Sequence, residues 1–89
     1  MSPTPTKIKW KDFLRAIERI ANKNFGRYQI KPKSGSARRI DLFKNAQDNI
    51  PCAFFVVHED KTVWSGDLKK ACLELNCSKD EFMEVVNSL

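Results

Sequence analysis

From Trp10 to Asn24 the apolar residues recur with a helical period. Phe13, Leu14, Ile17, Ile20 and Ala21 form one continuous stripe, while Lys11, Arg15, Arg19 and Lys23 recur every four residues on another side. The spacing predicts an amphipathic helix whose basic ridge is its wet face, ended at Asn24-Phe25-Gly26 with Gly26 as a left-handed cap. The period then shortens to two. Tyr28 and Ile30 alternate with Arg27, Gln29 and Lys31, and Pro32 closes that strand. Lys33 to Ser36 makes a turn, after which Ile40 and Leu42 share one side and Arg39 and Asp41 the other. After a polar loop at Asn45 to Asn49 comes Cys52 to His58, apolar on both faces, as expected of a strand covered on both sides.

Glu59 to Ser65 reads as a charged connection. Leu68, Ala71, Cys72 and Leu75 restore the helical period, with Ser65 or Asp67 as the expected cap. Asn76-Cys77 interrupts it, Ser78 to Glu81 fits a capping box, and Phe82, Val85, Val86 and Leu89 continue on helical spacing. The expected fold is therefore α+β: a two-layer domain over residues 10–89, with a three-stranded antiparallel sheet and its helices on one face. Residues 1–9, with Pro3 and Pro5, are expected to be a flexible tail.

A length of 89 residues allows one domain and a single small core. With no apolar run long enough to span a membrane and no signal-peptide core, the chain reads as a soluble, cytoplasmic protein with no membrane partner. The three cysteines, Cys52, Cys72 and Cys77, match no zinc spacing, and His58 is the only histidine. They read as reduced, mostly buried thiols, and neither a metal nor another cofactor is expected. The net charge of +5 hides an asymmetry: residues 1–44 carry a balance of +9 and residues 45–89 one of −4. One half of the chain is built to meet a polyanion, of which nucleic acid is the common choice and an acidic protein the other.

That charge gathers around the second expected strand. Ser34, Gly35 and Ser36 open into Arg38 and Arg39. A glycine there lets backbone N–H groups approach a ligand closely, and arginine offers forked donors matched to phosphate. The same residues also suit an ordinary hairpin with a basic solvent face. Candidate RNA contacts are Lys31, Lys33, Gly35, Ser36, Arg38, Arg39 and Lys44; His58, at the end of the third strand, suits a histidine bonded to backbone or solvent and joins them only through a family resemblance. Trp10 and Trp64 could stack on bases, although Trp10 better suits the edge of a small core.

Three features together resemble the HicA toxins, small bacterial mRNA interferases with a double-stranded-RNA-binding-domain-like fold. They are Gly35-Ser36 followed by arginines, an apolar strand ending in His58, and Ser65-Gly66-Asp67-Leu68-Lys69-Lys70-Ala71 leading to Ser78-Lys79-Asp80-Glu81-Phe82. The resemblance implies metal-independent RNA cleavage and a HicB-type antitoxin as partner. It also implies a catalytic histidine directly after Gly-Ser, where this chain has Ala37. Alanine moves no protons, and proton transfer is worth about 10²–10⁴ in rate. Two explanations remain open: a substitution that disarms a nuclease, or a domain that binds RNA without cutting it.

Overall fold

The computed structural model describes residues 5–89. Its elements run β1 (Pro5–Lys9), α1 (Trp10–Asn24), β2 (Arg27–Pro32), β3 (Ala37–Phe43), β4 (Ala53–His58), β5 (Thr62–Trp64), α2 (Ser65–Leu75) and α3 (Lys79–Asn87). Strands β2, β3 and β4 form an antiparallel sheet in that order. Their inner face supplies Ile30, Ile40, Leu42, Phe55 and Val57 to a core completed by the helices. The α+β class, the three-stranded sheet and the helical layer on one face are as the periodicity predicts.

Helix α1 buries Phe13, Ala16, Ile17, Ile20 and Ala21, so the apolar stripe is the core-facing side. Its Phe13 ring packs against Phe82 of α3 with centroids 5.5 Å apart and against Trp10 at 5.9 Å, which places Trp10 at the core's edge. Helix α3 begins as its sequence predicts: Ser78 Oγ accepts from the Glu81 backbone N–H at 3.0 Å. Helix α2 does not. It starts at Ser65 after an N-cap residue, Trp64, whose side chain makes no capping bond, and Asp67 lies inside the first turn. Its other end is closed by Asn76 in the left-handed region, φ 59°.

Three further expectations are corrected. Of the expected tail at 1–9, residues 1–4 lie outside the described residues, while Pro5–Lys9 form a strand paired antiparallel with β5. Thr6 Oγ1 donates to Val63 O at 2.7 Å and Ile8 is buried, so this pair closes part of the core. The charged connection after His58 accordingly contains β5, a strand too short to show an alternation. Gly26 has no positive φ, and the C-cap residue of α1 is Phe25 in extended conformation. Instead, Gly26 lies against the backbone of Asn45 and Ala46, where an added Cβ would meet atoms at 2.7–2.8 Å. Among the cysteines Cys52 is exposed, Cys72 is buried and Cys77 lies between; burial pushes the Cys77 thiol up to about 12. No helix among the described residues is long and apolar enough to cross a membrane.

Candidate nucleic-acid interface

Side chains alternate across a strand, so the register assigns the outer face of the sheet. Lys31 pairs with Arg39 and Gln29 with Asp41 between β2 and β3. Between β3 and β4 the pairs on this face are Ala37 with His58, Arg39 with Val56, and Asp41 with Phe54. Arg27 and Phe43 belong to the same face at its far end. Lys31 and Arg39 therefore stand side by side as the alternation implies, while Arg38 faces the other way.

The face is less basic than its sequence. Asp41 is 3% exposed, and a carboxylate so removed from water needs cationic partners. Arg39 Nε donates to its Oδ1 at 2.7 Å, and Lys31 Nζ lies 3.8 Å from its Oδ2. Arg39 also lays its guanidinium over the Phe54 ring, 4.1 Å from the centroid. Arg27 stacks on Phe43 at 3.8 Å in the same manner, but its Nε and Nη2 donate to the carbonyls of Ala46 and Asp48. Phe54 itself is 52% exposed. The two-sided apolarity of β4 therefore has two meanings: Phe55 and Val57 are core, and Phe54 and Val56 lie on an open face.

At one end of this face is the β2–β3 loop. Lys33 N–H donates to Ala37 O, Ala37 N–H donates to Ser34 O, and Gly35 takes φ 58° with open space around its Cα. Arg38 folds back over the turn. Its Nη1 donates to the carbonyls of Gly35 and Ala37 at 3.0 and 2.9 Å, and its Nη2 lies 3.7 Å from Glu59 Oε1. That arginine holds the loop's shape before it meets any ligand. Lys33 and Lys44 are exposed, and among the described residues no ion pair engages them.

Ala37 stands at the mouth of β3, across the ladder from His58. The β4 end is tied there by Glu59 N–H, which donates to Ser36 O at 2.9 Å. Asp67, buried in the first turn of α2, accepts from the His58 backbone N–H at 2.9 Å, with His58 Nδ1 3.6 Å away. One carboxylate thus ties down the strand end and lies beside its imidazole, which is about half exposed to solvent. The chain matches no known family model, no curated protein and no solved structure.

Gly35, Ser36, Ala37, Arg38 and His58 are brought to one end of the sheet, with Lys33 in the adjoining loop and Lys31 and Arg39 next along it. Lys44 follows the opposite end of β3 and is not part of that cluster. Trp64 donates its indole N–H to Asp60 at 3.2 Å, within the segment that leads into α2. Sequence reasoning overlooked Asp41, Phe54 and Asp67. The alternation does place Asp41 beside Arg39, and a lone acid between cations was the available signal. His58, Cys and acidic residues form no cluster of three able to hold a metal among the described residues.

Proposed function

We propose that this chain is an RNA-directed domain of the HicA type, acting in the cytoplasm, whose cleavage chemistry is silent because position 37 is alanine. The observation that carries the reading is the pairing of Ala37 with His58 across β3 and β4, beside an exposed glycine loop and arginine. Directly opposed residues in an antiparallel pair have Cβ atoms about 5 Å apart. A histidine at position 37 would therefore face His58 across a gap suited to one phosphodiester. One imidazole would take the proton from the ribose 2′-hydroxyl as its oxygen attacks phosphorus. The other would protonate the departing 5′-oxygen, leaving a 2′,3′-cyclic phosphate and a free 5′-hydroxyl. Asp67 would serve as a positioning residue for His58. This chemistry asks nothing of a metal, and a HicB-type antitoxin would cover the same face.

With alanine present, a second reading has its own support: the domain binds RNA, as an adaptor, without cutting. One experiment separates the two. The chain, its Ala37→His variant and the double variant Ala37→His, His58→Ala are induced in cells, and growth and RNA integrity are followed. The nuclease reading expects RNA loss and arrest from Ala37→His alone, with at least about a hundredfold slower cleavage when His58 is removed. Intact RNA with all three proteins overturns the nuclease and leaves the binding domain.

A further inference from the structure

Phe54 is a large aromatic side chain left half in water on an otherwise ordered sheet. Over it lies a guanidinium whose plane is already set, because Asp41 holds Arg39 Nε at 2.7 Å while the group rests 4.1 Å from the ring centroid. Among the described residues no hydrogen bond engages the terminal amino groups of Arg39. The neighbouring Arg27–Phe43 stack differs on this point, since a terminal amino group of its arginine, Nη2, already donates to the carbonyl of Asp48. Arg39 is thus a flat cation that is positioned and still has donors to give. Val56 and Lys31 flank it on the same face.

Planar bases stack on aromatic rings and on guanidinium planes, and forked donors meet phosphate or base-edge oxygens. A duplex keeps the faces of its bases hidden within its own stack. Only an unpaired strand can lay them on this surface. We propose that Phe54 and Arg39 form a base-stacking platform through which the open sheet face binds single-stranded RNA. The inference rests on the RNA-directed reading above and deepens it, by giving the strandedness of the ligand and the residues that select it. An acidic protein segment would answer the cations but would make no use of a ring that already carries a stacked guanidinium.

The test uses the chain as it stands, so binding is read without cleavage. Fluorescein-labelled 12-nucleotide oligoadenylate and oligouridylate, and an RNA hairpin with a fully paired stem, are titrated at low salt against the native chain, Phe54→Ala, Phe54→Leu and Phe54→Tyr. Thermal melting of each variant checks folding, which an exposed position should preserve. The expected result is preference for the single strands, with affinity lowered about 5- to 100-fold in Phe54→Ala and Phe54→Leu and kept in Phe54→Tyr. Equal single-strand binding by the native chain and Phe54→Leu overturns the platform while the RNA reading stands. Equal or tighter binding of the hairpin overturns the single-strand assignment in the same way. If neither RNA binds, the RNA reading falls and the platform with it.

Discussion

Gly26 and Gly35 show how differently two glycines are used. Gly35 takes φ 58° in open space, so its task is conformational. Gly26 has an ordinary φ but approaches the Asn45–Ala46 backbone so closely that a Cβ would lie 2.7–2.8 Å from it, and its N–H donates to Phe43 O at 2.9 Å. Backbone atoms cannot rotate away as a side-chain tip can. Gly26→Ala should therefore destabilise the fold by about 1–3 kcal/mol, read as a lower urea midpoint with an unchanged m-value. The local sequence supports a left-handed cap at Gly26 because Asn-Phe-Gly follows a helical stripe. Its actual constraint comes from residues nineteen and twenty positions later, and no local pattern carries that. Asp41 is legible by its neighbours and Phe54 is not: in a run apolar on both faces, nothing local tells the covered side from the open one.

At the scale of elements, what periodicity could reveal depended on length. Helix α1 has enough turns for its stripe to repeat, and its observed ends coincide with the expected ones. Strands β2 and β3 alternate long enough, and β4 is a long enough apolar run, for each to be placed within a residue or so. The β1–β5 pair has no such signal: β5 has three residues, and the register between the strands is irregular. Prolines near the start of the chain argued for a tail, yet Ile8 is 3% exposed and joins the core cluster. A residue so buried cannot belong to a dispensable segment. Ile8→Ala should cost about 2–4 kcal/mol, lowering the melting temperature markedly, whereas exposed Lys7→Ala on the same strand should stay within about 0.5 kcal/mol. Equal, small effects at both positions would show that the β1–β5 pair contributes little to the fold.

For the whole molecule the question is how much of the basic half remains available to a polyanion. The basic face as read from sequence offers five cations: Lys31, Lys33, Arg38 and Arg39 toward one end, and Lys44 apart from them beyond the opposite end of β3. Two carboxylates meet them in the fold, Asp41 with Lys31 and Arg39, and Glu59 with Arg38, so the net is three. Helix α1 carries a further basic ridge, but it belongs to the layer behind the sheet and cannot reach a strand lying on the open face. Counterion release counts the charge actually offered. On single-stranded RNA the slope of log affinity against log salt should be about −2 for a net of three and about −3.5 for five. Between 50 and 200 mM salt the two cases predict losses of about 20-fold and about 130-fold. Fluorescence anisotropy over that range distinguishes them. Glu59→Gln releases Arg38 and should steepen the slope to about −3, whereas Arg15→Gln on α1 should leave it unchanged. A native slope near −3.5 would mean that RNA displaces both carboxylates on binding. Asp41 would then have to give up its partners while still out of water, which its burial opposes. The shallower slope is the outcome this arrangement of charges requires.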